Sequence, residues 1–240
     1  MPGSAEQPSK FPLIANAIAE GYTSYMTTLE LPVDLPKRVL LVGVHRFSVA
    51  EYHRLRDDGY LDGPTRYELL DGYITPKMTP KPPHASTVEK LQDLFLDLIP
   101  KGIKARVERP ITLSTSEPVP DLSIVRQSSP EDFDARHPGA ADCELVIEVS
   151  ATTLESDRTD MMKIYSRDRI KVYWIVNLID RVVEVHEVPN GTKAKPRYKT
   201  RRVYAEDEIV PVILGGKKRG EIAVKEILPK ARTRSSPGGQ

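Results

Sequence analysis

The 240-residue sequence predicts an α/β (α+β) fold in which helices flank a mixed β-sheet. Three observations predict it. Val88, Leu91, Leu94, Phe95, Leu98 and Ile99 recur at helical spacing. Residues 144–149 and 172–176 are short, nearly continuous apolar runs, as strands covered on both faces require. Helical and extended signals follow one another as helix, hairpin, helix, strands, helix, strands, an order that suits a sheet with helices packed on it.

Each element has a local cause. Ser48-Val-Ala-Glu51 is a capping box, in which hydroxyl and carboxylate satisfy the free amides of a helix start. That helix should end near Asp58-Gly59. Asp71-Gly72, between Tyr67, Leu69 and Tyr73, marks a two-residue hairpin, because both turn positions tolerate positive φ. Pro82-Pro83 should break the chain before a helix from His84 to about Ile99, which Pro100 and Gly102 end. Strands are expected over residues 105–108, 122–125, 144–149 and 172–176, with a polar loop at 126–142 and a helix over about 156–168. Residues 181–188 and 197–204 should pair as a hairpin across Pro189-Asn190-Gly191.

Residues 1–46, rich in proline and small residues, read as a loosely attached extension. Residues 47–228 read as the domain, and 229–240 as a disordered tail.

Composition narrows the function. The apolar share of 39% supports a core. No run of eighteen apolar residues is present, so no membrane span is expected. The opening MPGSAEQPSK lacks the basic-then-apolar order of a secretory leader. Cys143, the one cysteine, reads as a small core residue and points to a reducing, cytoplasmic location. The net charge of +1 conceals an asymmetry. From Asn190 onward there are thirteen Lys/Arg against five Asp/Glu, leaving 22 against 29 in the rest. The basic part either touches phosphates or is a solvated hairpin and tail. No repeat, phosphate loop, dinucleotide fingerprint, zinc-ligand spacing or nucleophile elbow is present.

Carboxylates at the ends of apolar strands point to chemistry, because charged groups are rarely buried without a partner or a metal. Asp121 precedes the apolar Leu-Ser-Ile-Val run, and Glu148 lies inside ELVIEV. On neighbouring strands they could share magnesium, which takes one or two protein carboxylates and keeps several waters. Glu68, before the Asp71-Gly72 turn, adds a third carboxylate; the plainer reading is an exposed or salt-bridged strand residue. His84 reads first as a cap, and Tyr173-Trp174 as core rather than a base-stacking pair.

In this order RYELLDGYI, His84, PDLSIV, ELVIEVS, DRTDMMKIY and VYWIVN resemble the Uma-type restriction endonucleases, a branch of the PD-(D/E)XK nuclease superfamily. The resemblance runs over residues 47–188. It implies a restriction-endonuclease-like core, a Mg2+ (or Mn2+) ion on Asp121 and Glu148, Glu68 as a third acid, a DNA substrate and a homodimer. The superfamily usually places a lysine two residues after the second acid, where this chain has Ser150. The Uma-type branch resembles D-x-x-x-K-x-x-x-Y on the next helix, and matching Asp157 and Tyr165 puts Met161 at the lysine position. Lys163 is the nearest lysine and is assigned the cation near the scissile phosphate. It lies about 200° around a helix from residue 161, whereas Arg158 lies nearer that face. Met161 motivates the first rival, a nuclease fold that binds nucleic acid or a partner without cutting. The second rival is a glycosidase using Glu68 and Glu148 as acid and base, which needs no metal.

Overall fold

In the computed structural model, which describes residues 44–129 and 131–230, helix α1 (Val49–Asp57) starts at the expected capping box. Ser48 Oγ accepts the Glu51 N–H, and the Glu51 carboxylate accepts the Ser48 N–H. Strands β1 (Tyr67–Leu70) and β2 (Tyr73–Pro76) form the expected ribbon, with Asp71 and Gly72 at positive φ of 53° and 83° in its turn. Helix α2 (Pro82–Leu98) follows. The Pro82-Pro83 pair does not break the chain. It opens the helix, where the first-turn amides have no partner for a proline to remove.

One six-stranded sheet carries the fold. Its strands are β3 (Ile103–Val107), β4 (Leu122–Arg126), β5 (Cys143–Ser150), β6 (Val172–Asn177), β7 (Val182–Thr192) and β8 (Lys195–Ala205), side by side in that order. Only β5 and β6 pair in parallel. A parallel pair needs a crossover, usually helical. Here it is α3 (Leu154–Ser156), a π-helical turn (Asp157–Met161) and α4 (Met162–Arg167). The expected single helix is therefore interrupted. The Met162 N–H reaches back five residues to the Asp157 carbonyl, and such bulges recur at functional sites.

The β7–β8 turn also differs from expectation. It lies at Lys193-Ala194, and Pro189-Asn190-Gly191 belongs to β7, with Pro189 opposite Tyr198. The β6 pairing ends at Glu187, so beyond it β7 has a free edge where a proline removes no ladder bond. A further ribbon, β9 (Ile209–Leu214) with β10 (Lys217–Ala223), and a short helix α5 (Val224–Ile227) complete the described elements. Gly215 and Gly216, both at positive φ, make its turn.

The sheet is covered on both faces. On one, α2, α5 and β9–β10 bury Leu122, Ile124, Leu145, Ile147, Trp174 and Val176, with Phe95 5.9 Å from Trp174. On the other, the crossover packs Met161, Ile164 and Tyr165 on Val146, Tyr173 and Ile175. Cys143 is fully buried. Among the described residues no helix is long and apolar enough to cross a membrane. The expected extension lies outside the described residues up to residue 43, as does the tail from residue 231.

Candidate active site

Strands β4 and β5 bring two acids together. Asp121 stands immediately before β4, and Leu122 pairs with Ile147 in antiparallel register. Strand alternation turns Glu148 to the crossover face, away from Ile147 and Val149. The Asp121 N–H donates to Glu148 Oε2 at 3.3 Å, and the Val149 N–H donates to Asp121 Oδ2 at 2.7 Å. Both side chains are buried.

Four further groups complete the cluster. The Lys77 ammonium, just beyond β2, lies 3.4 Å from Asp121 Oδ1. His84, in the first turn of α2, places Nε2 2.9 Å from Asp121 Oδ2; a carboxylate only accepts, so that nitrogen carries a proton. The Tyr165 hydroxyl donates to Glu148 Oε1 at 2.6 Å. Glu68, on β1, accepts the Val119 N–H at 3.0 Å. Behind them Asp157 accepts the hydroxyls of Ser150 and Thr153 at 2.6 and 2.7 Å.

The electrostatics divide the two acids. Burial pushes the Asp121 carboxyl up, but the His84 hydrogen bond, the Lys77 charge and the Val149 N–H outweigh it and hold it below the ordinary value. Burial pushes Glu148 well above the carboxylate range, and the Asp121 charge adds to this against the opposing charge of Lys77. Burial likewise raises Glu68 and Asp157. For Lys77 burial favours the neutral amine, yet the charges of Glu148, Asp121 and Glu68 overcome it and raise its pKa. The site thus sets a carboxyl held below its ordinary value beside one raised above it, with an ammonium stabilised by the acids around it.

Of the residues expected from sequence, Asp121, Glu148 and Glu68 lie around this ammonium. Lys163 does not. It is half-exposed, pairing with Asp160 at 3.4 Å. Arg158 is also elsewhere, bound to the buried Glu184 on β7 and to Asp180. His84 is not the expected cap, since the N-cap position is Lys81 and the His84 ring instead contacts Asp121. Sequence reasoning missed Lys77, which carries no local signal of burial. Tyr165 and Asp157 were visible only as the ends of a motif.

The donor set suits a hard cation. Two carboxylates on adjacent strands meet where the fold already accommodates a positive charge. Among the described residues no group of three or more His, Cys, Asp or Glu is arranged to hold a metal ion, but magnesium needs only one or two carboxylates and retains its waters.

A family model described as "Uma2: Putative restriction endonuclease" matches residues 49–216, well over half of the chain. The chain belongs to the Uma2 family. A crystal structure described as a putative nuclease belonging to DUF820, from Anabaena variabilis ATCC 29413, is similar at 17% identity with a TM-score of 0.53. The match covers 75% of the present chain and 97% of that one, and shows a shared fold. No curated protein matches the chain. The Uma2 match spans every element of the site described above, from α1 to β9.

Proposed function

We propose that this Uma2 protein is a divalent-metal-dependent endonuclease that hydrolyses phosphodiester bonds in DNA, with Asp121 and Glu148 as the ligands of Mg2+ or Mn2+. The observation that carries the reading is the pair of hydrogen bonds from the Asp121 N–H to Glu148 and from the Val149 N–H to Asp121, which holds two carboxyl groups in one buried site beside an ammonium. When bound, such an ion supplies Lewis-acid polarisation of the phosphate and acidification of water.

The chain's own residues do the rest. Asp121 is already ionised and held by the Val149 amide and His84, so it offers a fixed anionic oxygen. Glu148 would hold the ion from the neighbouring strand, with the Tyr165 hydroxyl fixing the orientation of its carboxyl group. Glu68 completes the negative rim from the neighbouring ribbon. Burial of the cluster excludes bulk water, which strengthens each charge–charge interaction there. Cutting both strands of a duplex calls for two such sites, which a homodimer supplies.

Met161 favours the competing reading of a fold that binds without cutting. A magnesium-titrated nicking assay on supercoiled plasmid separates the two. The parent chain should nick, and Asp121→Ala with Glu148→Ala should not. Nicking that survives in the double variant, or that is absent from the parent, overturns the proposal.

A further inference from the structure

We propose that Lys77 supplies the ammonium that this site directs at the phosphodiester, in place of the helix lysine whose position is taken by Met161. This rests on the nuclease reading above.

The geometry points to Lys77 and away from the other cations considered. Its Nζ lies 3.4 Å from Asp121 Oδ1, and its side chain is 19% exposed. The side chain of Lys163, nearest in sequence to position 161, is 51% exposed and turned to Asp160. Arg158 is committed to Glu184. Lys77 is also held in place by its backbone, whose N–H donates to the Arg66 carbonyl at 2.7 Å at the open end of the β1–β2 ribbon.

The same arrangement accounts for Met161. Asp157, Met161 and Tyr165 follow one another at four-residue intervals, and all three are buried. Asp157 and Tyr165 flank the site, the first through Ser150 and the second through Glu148. A lysine at 161 would bring a second ammonium toward carboxylates that Lys77 already neutralises, and like charges at close range in a buried site repel strongly. An apolar side chain at 161 is what the relocated lysine leaves room for.

Lys77 also has a role before any metal arrives. It is the resident counter-charge of Asp121, so a divalent ion must compete with it for that carboxylate. Its four-carbon stem lets the ammonium leave Asp121 and turn to an incoming phosphate oxygen.

The test compares the parent with Lys77→Met, Lys77→Arg and the double variant Lys77→Met with Met161→Lys. Mg2+ affinity is read by calorimetry, and single-turnover nicking is read at saturating Mg2+. Lys77→Met should nick about 100-fold more slowly, the scale of losing one charged contact to the transition state. It should bind Mg2+ about tenfold more tightly, because a competing positive charge is gone. Lys77→Arg should fall between the two, and Met161→Lys should restore about tenfold of the lost rate in the double variant. A merely structural lysine would instead weaken Mg2+ binding along with the fold. Nicking by Lys77→Met within about threefold of the parent overturns the proposal, as does Mg2+ affinity that is unchanged or weaker. If the parent binds Mg2+ through Asp121 and Glu148 yet never nicks, the nuclease reading and this proposal fall together, whereas a nicking parent with an unimpaired Lys77→Met variant sinks the proposal alone.

Discussion

The Asp121 N–H donates to Glu148 Oε2 while the Val149 N–H, one residue on from Glu148, returns a bond to Asp121 Oδ2. Each acid is thus fixed by the other's strand, and neither can turn away without breaking a buried hydrogen bond. Two negative groups at such close quarters do not both ionise freely: burial and the Asp121 charge raise the Glu148 pKa, while Asp121, against its own burial, is held down by His84 and Lys77.

Glu148→Gln should therefore stabilise the metal-free protein at neutral and higher pH. The folded-state pKa of Glu148 lies above its ordinary value of 4.5. Below the ordinary value both states are protonated and the acid behaves like the amide. As pH rises toward the folded-state value, the unfolded chain releases a proton that the folded chain retains, and the parent loses stability relative to the variant. Urea unfolding in chelator at stepped pH reads this difference. A parent that gains on the variant as pH rises contradicts it.

Tyr165→Phe should lower both stability and Mg2+ affinity. It removes the hydroxyl that donates to Glu148 Oε1 at 2.6 Å but keeps the ring. Leaving a buried acceptor without its donor costs about 1–3 kcal/mol. Groups that orient a ligand carboxylate are worth about 10- to 100-fold in metal affinity or activity. Thermal melting and Mg2+ titration of one sample measure the two effects separately.

Arg167→Ala should loosen the β1–β2 ribbon. Arg167, on α4, pairs with the Asp71 carboxylate in the ribbon turn, its Nη2 reaching Oδ2 at 3.1 Å. The hydrogen bond from Arg167 holds Asp71 below its ordinary pKa, so this contribution is present above pH 3.8 and is lost as pH falls through the lowered value. Both groups are partly exposed, and the pair contributes about 1 kcal/mol or less. Amide exchange over residues 67–77 should quicken while that of β4 and β5 stays unchanged.

Gly72→Ala should cost more, about 1–3 kcal/mol. Gly72 has φ +83°, and an added Cβ would stand 2.7 Å from the Arg46 Cβ and 3.2 Å from the Arg46 and Phe47 backbone atoms. Chemical denaturation with the slope held in common checks it. An unchanged midpoint would mean that the turn relaxes without resistance.

Much of this was written locally in the chain. Ser48 with Glu51 announced the first helix, and Asp71-Gly72 announced the ribbon, because caps and tight turns are chemistry between near neighbours. Asp121 and Glu148 stood out because a charge inside an apolar run demands a partner. The β9–β10 ribbon had a readable signal in Gly215-Gly216 that the sequence reading passed over. Lys77 had none. A lysine after a turn looks like any surface lysine, and only the packing of the ribbon beside β4 makes it a buried one. The π-helical turn was equally hidden, since five-residue and four-residue hydrogen bonding draw on the same side chains.

The β1–β2 ribbon contributes Glu68 from one arm and Lys77 just past the other. At the site itself it therefore adds one acidic and one basic group, while its third charge, Asp71, faces Arg167. Away from the site, the ribbon's turn is tied down by the charged Asp71–Arg167 pair. Raising ionic strength should therefore loosen the turn through that partly exposed pair before it disturbs Glu68 and Lys77, which burial shields from salt.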